Sequence, residues 1–430
     1  MLKPTLLTIL IFLLASSQSL AQILHIVNGK IATRQQVDSL LNTNEHKLYL
    51  QAVERFEAYQ RINNKDSVLL LNLSNGRLKE IPEWVYRFKN LKSLNLAHNN
   101  IEKIGRQIKK LDSLTILNLS NNQIGNRKLK IKRNKNIKSV FLNDNNLSSL
   151  PRQVRKFKNL TDLNLRKNHF TEIPLYLKKN KKLEVLNISE NCLIIDNQNF
   201  KKLSGLTTLR LNKTDLNYIP ESLFTLNNLK ELQLNHNNIK AIPDGINHFK
   251  KLELFSIYEN QIKEIPDAFF NLTNLKQLDI YYNDIEVLPK QIKAFEKLEI
   301  LYLSNNKIYS LPEELGDLPN LKRLYLHHNR LTNIPASLAS LNQLEVLRIN
   351  NNYFAEVPAV ILNLKMLKNL DLSDNKIEFI PLEFKDFERL ELFYFQNNPI
   401  KIDNPNNEHL KETLSKMNKR GTVVNPSTLE

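Results

Sequence analysis

The side chains able to do covalent or metal chemistry are few. The chain has 430 residues with one cysteine and nine histidines. A single thiol excludes an intrachain disulfide framework and a cysteine-rich zinc module. Cys192 follows Asn191 inside a periodic segment and reads as an incidental thiol. The histidines are scattered. His327 and His328 are neighbours, and consecutive strand residues point to opposite faces unless the strand has already ended, so no metal pair is expected there. Glycine is scarce, at 8 residues, and no G-x-G-x-x-G, G-K-[ST] or H-E-x-x-H occurs. The sequence therefore predicts no catalytic residue, no cofactor and no metal.

What remains is the chemistry of recognition, carried by two sets of residues. The first is Tyr258, Asp279, Tyr281, Tyr282, Tyr302, Tyr325, His327, His328 and Arg348. Exposed Tyr and Arg clusters are enriched in binding hot spots, which favours a protein partner, or a glycan. The alternative is that cross-strand stacking of the rings only stabilises a sheet. The second set is basic: Arg127, Lys128, Lys130, Lys132, Arg133, Arg152, Arg155, Lys156, Lys178, Lys179, Lys181 and Lys182. Residues 125–182 hold 17 Lys/Arg against 3 Asp/Glu, so this stretch carries +14 of a formal net charge of +17. Such a patch suits an anionic glycan or lipopolysaccharide, or is a solvated face. Nucleic acid is disfavoured, because no aromatics interleave the charges.

Both sets ride on a repeat of 23 residues. Leu91, Leu94, Leu96, Asn99 and Ile101 are followed at a constant offset by Leu114, Leu117, Leu119, Asn122 and Ile124. The register runs without insertion from Val68, Leu71, Leu73, Gly76 and Leu78 to Leu390, Phe393, Phe395, Asn398 and Ile400, giving fifteen repeats. The ninth position is Asn in thirteen of them; Gly76 and Thr214 are the exceptions. Alternation of the two central leucines with polar residues predicts a short strand buried on one face. Identical connections make every strand parallel to the next. No single repeat encloses its own leucines, so the core forms by stacking. The ninth-position amide has donors and an acceptor to satisfy backbone groups where the strand bends inward. Most repeats continue with Ile-Pro or Leu-Pro, as at Ile242-Pro243 and Leu311-Pro312, where the fixed φ of proline starts the return turn.

These residues resemble the leucine-rich-repeat family over residues 68–400, in the 23-residue form of Ras-suppressor and scribble-type repeats and of many bacterial surface proteins. The resemblance implies an α/β solenoid, a horseshoe of 15 repeats with a concave parallel β-sheet, that binds partners and does not catalyse. Some secreted bacterial relatives add a ubiquitin-ligase domain with a nucleophilic cysteine; the residues after 400 contain no Cys. On this frame the recognition set falls at the fifth, seventh and eighth positions of repeats nine to thirteen, on the concave side. Many of the basic residues fall late in their repeats, on the convex or lateral surface. The third repeat lacks the Ile-Pro step, so an irregular convex side is expected there. The second position alternates Lys230, Glu253, Lys276, Glu299, Lys322, Glu345, Lys368 and Glu391, a pattern that predicts a structural charge ladder.

The ends of the array need covers. Residues 22–67 are expected to form an N-terminal helical cap, with helices over Gln35–Leu41 and Lys47–Gln60 turning Val37, Leu40, Leu41, Val53 and Phe56 inward. Residues 401–430 are read as a C-terminal cap and tail: a helix over 406–418 with Leu410, Leu414 and Met417 facing in, then a loose end. Extracellular eukaryotic relatives have cysteine-rich caps, so these helical ones favour a bacterial origin. Residues 1–21 have the charge, the short apolar core and the small residues at Ser19 and Ala21 of a secretory signal peptide cleaved before Gln22. A secreted, periplasmic or cell-surface location is the expectation.

Overall fold

The computed structural model describes residues 44–126, 134–150, 152–194, 200–400 and 405–425, together with two short strands, Ile26–Val27 and Lys30–Ile31, paired antiparallel. The expected signal peptide, the expected helix Gln35–Leu41, and Arg127, Lys128, Lys130, Lys132 and Arg133 lie outside the described residues, as does the middle of the third repeat's return path.

Each of the fifteen repeats supplies one three-residue strand, and with one further strand after the repeats these join in a 16-stranded parallel sheet in strict sequence order. The register is uniform: Leu301 faces Leu324, and Tyr302 faces Tyr325. The expected offset of 23 residues is thus the ladder register itself. Short 3-10 turns return the chain on the opposite side, most of them entered through proline, as at Pro266 (φ −70°) before Asp267–Asn271. Between sheet and turns, the repeated Leu, Ile and Phe side chains form one continuous core, with Leu94, Leu117, Leu232 and Leu324 fully buried.

The ninth-position amides form the ladder expected of them. Asn306 donates through Nδ2 to the carbonyls of Leu303 and Ile280, both at 3.0 Å, and its Oδ1 accepts the Ile285 N–H at 3.0 Å. Asn260 makes the same set with Ile257, Leu234 and Ile239. The two exceptions have local causes. At Gly76 a Cβ would fall 2.3 Å from the Phe56 ring, so the cap's aromatic occupies the space an Asn needs. Thr214 donates from its hydroxyl to the Leu211 carbonyl of its own repeat at 2.8 Å, and its N–H and hydroxyl also reach Asn237 Oδ1 of the next at 2.9 and 3.3 Å. Just before each Asn the chain turns left-handed, with φ of 53° at Tyr282 and 55° at His328.

Helix α1 (Asn44–Arg61) covers the first repeat, close to the expected Lys47–Gln60. Ala52 is buried, Phe56 and Tyr59 pack on the core, and Val53 is half-buried. Arg55 donates to the Ser74 carbonyl at 3.0 Å, anchoring the helix to the first strand. Helix α2 (Leu410–Lys419) covers the last, burying Leu410, Leu414 and Met417 as expected. The reading of residues 419–430 as loose needs correction: Val423–Asn425 pairs parallel with Leu392–Tyr394 as the sixteenth strand. A three-residue strand without the repeat's leucines has no periodic signal, and its partner is known only once the sheet exists.

Removing one ladder amide leaves buried backbone groups unpaired. Asn260→Ala and Asn306→Ala should each lower stability by about 1–3 kcal/mol in denaturant melts; stabilities equal to the unaltered chain would contradict the ladder.

Candidate functional site

The fifth-position side chains leave the strand on the face opposite the leucines. Tyr302 and Tyr325, one register step apart, stack with ring centroids 4.7 Å apart and planes only 12° from parallel. Arg348 continues the stack from the next strand, its guanidinium carbon 5.9 Å from the Tyr325 centroid. Three planar groups thus lie in line across three strands, all half-buried.

A second group flanks them from the seventh and eighth positions. Tyr258 meets Tyr281 edge-on at 6.2 Å, and Tyr281 meets Tyr282 edge-on at 4.7 Å. Tyr281 also lies 6.3 Å from the His327 ring, and His327 lies 5.6 Å from His328. The structure therefore brings all nine residues of the first set into one region of the concave face. For the histidine pair the exception allowed from the sequence applies. The strand Arg323–Tyr325 ends before His327, and the left-handed turn at His328 folds its ring back towards its neighbour. Opposite faces apply only to continuing strand. Among the described residues no group of three His, Cys, Asp or Glu is arranged to hold a metal.

His236 belongs to this region and was missed by sequence reasoning. Its ring meets Tyr258 edge-on at 4.9 Å, with Nε2 3.2 Å from the phenol oxygen, and Nδ1 pairs with Glu259. The signal that could have found it was its eighth position, diagonal across one strand to Tyr258 in the seventh.

Burial sets the protonation of the cluster. Desolvation raises the Asp279 carboxyl, against the opposing pull of the Tyr281 N–H and the Ser256 hydroxyl that donate to it. Tyr258, Tyr281 and Tyr302 are also raised, chiefly by burial. His327 is pushed down to about 4, mainly by burial, then by the positive charge of His328 and Arg348. Its Nδ1 shares a hydrogen bond with the Ser304 hydroxyl at 2.8 Å. The ring is therefore neutral at pH 7 and acts as a polar, not a charged, contact.

The described part of the basic set lies across the fold on the return turns. Arg152, Arg155 and Lys156 belong to the turn Arg152–Lys156, and Lys178 and Lys179 close the turn Leu175–Lys179. Arg155, Lys156, Lys179, Lys181 and Lys182 are exposed, and Lys178 is half-buried. Lys182 donates to Asn159 Oδ1 at 2.9 Å, and Arg155, Lys156, Lys179 and Lys181 present a basic surface. The second-position charges do form a ladder: Lys276 to Glu253 at 2.7 Å, Lys322 to Glu299 at 2.9 Å and Lys368 to Glu345 at 2.9 Å. Cys192 is exposed and free.

Fold and face together define a parallel-sheet solenoid whose distinctive chemistry lies on an open surface. Family models agree. A leucine-rich-repeat model matches residues 67–124, 204–262 and 227–285, a leucine-rich-repeat-region model matches 271–354, and a further leucine-rich-repeat model matches 366–387. Together these span more than half of the sequence, which belongs to the leucine-rich-repeat proteins. The fold of that family is in general a non-enzymatic binding scaffold. No curated protein matches the sequence. Among solved structures, a leucine-rich-repeat protein of Leptospira interrogans is similar over 86% of this chain and 98% of its own, with a TM-score of 0.72 and 26% identity. The Arabidopsis receptor kinase HAESA, solved with the peptide hormone IDA and the co-receptor SERK1, is similar over 81% of this chain and 67% of its own, with a TM-score of 0.58 and 25% identity. An internalin of Listeria monocytogenes shares the fold over 88% of this chain and 97% of its own, with a TM-score of 0.58 and 19% identity.

The depressed His327 makes a pH prediction. Its folded pKa lies below its ordinary 6.5, so on acidification the unfolded protein takes up this proton first. Stability should fall between about pH 6.5 and about pH 4 and be indifferent to His327 above that window. Asp279, shifted upward, acts in the opposite sense as pH rises from its ordinary 3.8. His327→Asn should flatten the acid-side slope in urea melts from pH 4 to 7; a slope identical to the unaltered protein would show that the ring is not desolvated.

Proposed function

We propose that this protein is a non-catalytic interaction scaffold that binds a protein or peptide through the concave face of repeats nine to thirteen. The Tyr302–Tyr325–Arg348 stack with the adjoining Tyr258, Tyr281 and Tyr282 carries the reading: aromatic and arginine side chains, half-exposed and held rigid by the sheet, are the usual anchors of interfaces. Neighbouring strands lie about 4.8 Å apart, so the region from Tyr258 to Arg348 spans roughly 20 Å, within the reach of an interface of about 800 Å² per partner. The peptide-bound HAESA ectodomain, built on the same repeat architecture, supports a peptide or protein as the class of partner. The leader-like residues 1–21 support export, and with it a secreted, periplasmic or cell-surface location.

A second reading rests on the exposed Lys and Arg of the return turns, which suit an anionic glycan or lipopolysaccharide and would make the protein an adhesin. Salt separates the two, because polyanion binding weakens steeply with ionic strength while an aromatic-centred interface does not. With a partner captured by the full-length protein and then purified, Tyr302→Ala combined with Tyr325→Ala should weaken binding by more than about 1 kcal/mol. A smaller loss would remove the aromatic face from consideration. Charge reversal at Lys178, Lys179, Lys181 and Lys182 should leave that partner's affinity unchanged; abolished binding to anionic vesicles or glycans would favour the second reading instead.

A further inference from the structure

The concave row holds a backbone detail that a purely aromatic interface does not use. Where the fifth residue of a repeat is Asn or Asp, its side-chain oxygen folds back and accepts the N–H of the seventh. Asn95 accepts from Ala97 at 3.0 Å, Asn118 from Ser120 at 3.0 Å, Asn187 from Ser189 at 3.1 Å and Asp371 from Ser373 at 3.1 Å. In repeats seven to nine a side group of the preceding repeat takes over, as when Asn235 Oδ1 accepts the Tyr258 N–H at 3.0 Å.

In repeats eleven, twelve and thirteen the fifth residues are Tyr302, Tyr325 and Arg348, none of which has an oxygen that reaches back. Among the described residues the N–H groups of Ser304, His327 and Asn350 have no protein acceptor. The run is bounded: Asp279 caps Tyr281 on one side and Asp371 caps Ser373 on the other. Elsewhere among the described repeats an uncapped seventh N–H occurs singly, at Asn143 and Gln396. The same three repeats hold the planar stack, and Arg348 ends it with its Nε buried and without a hydrogen-bond partner. Asp371, the in-register neighbour of Arg348, turns Oδ1 to the Ser373 N–H and hydroxyl, and no ion pair engages Arg348 among the described residues.

Unmet donors, backbone and guanidinium, fall in three successive repeats, with two acceptors, Asn350 Oδ1 and Asn369 Oδ1, likewise buried and unpartnered. Resting on the concave face being the binding surface, we infer that this window takes a carboxylate of the partner, held by Arg348 and the uncapped N–H groups of the half-buried His327 and Asn350, while the Tyr302 and Tyr325 rings pack against the residues beside it. Ser304, fully buried, stays behind them. A planar carboxylate matches the guanidinium fork in a bidentate geometry. A single negative charge suits the site better than a phosphate dianion, because Asp371 sits in the adjacent strand. His327, neutral at pH 7, adds no competing charge. The carboxylate is either the free C-terminus of a peptide or the side group of an Asp or Glu.

Three synthetic octapeptide libraries presented to the full-length protein separate these sources: one with free C-termini, one with amidated C-termini, and one amidated and lacking Asp and Glu. Binders should emerge from the first library, marking a terminal carboxylate, or equally from the first two, marking an Asp or Glu, with the third giving none. Arg348→Gln should weaken the selected peptides at least tenfold, Arg348→Lys should restore only part of that affinity, and the protein should melt as before. Amide signals of His327 and Asn350 should shift on peptide addition. If the third library yields binders that need Tyr302 and Tyr325 but ignore Arg348→Gln, the carboxylate is refuted and the concave interface stands. If no library binds, or binders ignore both tyrosines, both readings fall.

Discussion

The structure depends on one repeated hydrogen-bond set, that of the ninth-position asparagine. Its Nδ2 holds two strand-end carbonyls, one in its own repeat and one in the repeat before, while its Oδ1 takes a backbone N–H of that earlier repeat. One amide therefore closes a turn and fastens two turns together. Because its partners lie at fixed separations, any insertion within a repeat would strand buried polar groups. That accounts for fifteen cycles without a gap. It also fixes the residue before it in a left-handed conformation, which few side chains adopt without cost. Polar residues fill most of those positions; Tyr282 is a departure, and it lies in the aromatic cluster.

The concave face inherits this rigidity. With backbone and leucines committed, the fifth and seventh positions are the ones left to vary, though they are not idle. In the first half of the array Asn at the fifth position caps the bend, and Asn95 also donates to Asn72 at 3.1 Å. In repeats eleven to thirteen the cap is given up for Tyr, Tyr and Arg. A local cap is given up there, the kind of local inconsistency that is expected at functional sites and that supports the proposed binding face.

Periodicity made the strands, their register, the amide ladder, the charge ladder and both capping helices legible, since each depends on residue type at a constant offset. What escaped was whatever the period does not carry. A second amide ladder precedes the first leucine of several repeats: Asn159 donates to the Lys135 carbonyl at 2.8 Å and Asn274 to that of Lys250 at 2.8 Å. Its Asn recurs too irregularly to be seen as a pattern. The strand Val423–Asn425 has no repeat of its own. The turn that brings His327 to His328 follows from where the strand ends, to within a residue, and alternation alone does not locate that point. The site could be chosen by residue type; its contacts and protonation needed coordinates.

What surrounds the aromatic stack bears on whether it serves the sheet or a partner. A structural device completes its own pairings, as the second-position charges do: Lys276 beside Glu253 and Lys368 beside Glu345 hold both carboxyls below their ordinary range. The fifth-position stack does not. Two tyrosines satisfy each other's faces, but Arg348 joins them with Nε unpartnered, beside an aspartate already engaged elsewhere. If stacking alone were the purpose, an aliphatic or aromatic residue at 348 would extend it without burying an unmet donor. In a solenoid whose ninth-position amides and second-position charges find their partners within the fold, an arginine with Nε unpartnered at the end of the stack is the observation on which the proposed external carboxylate rests.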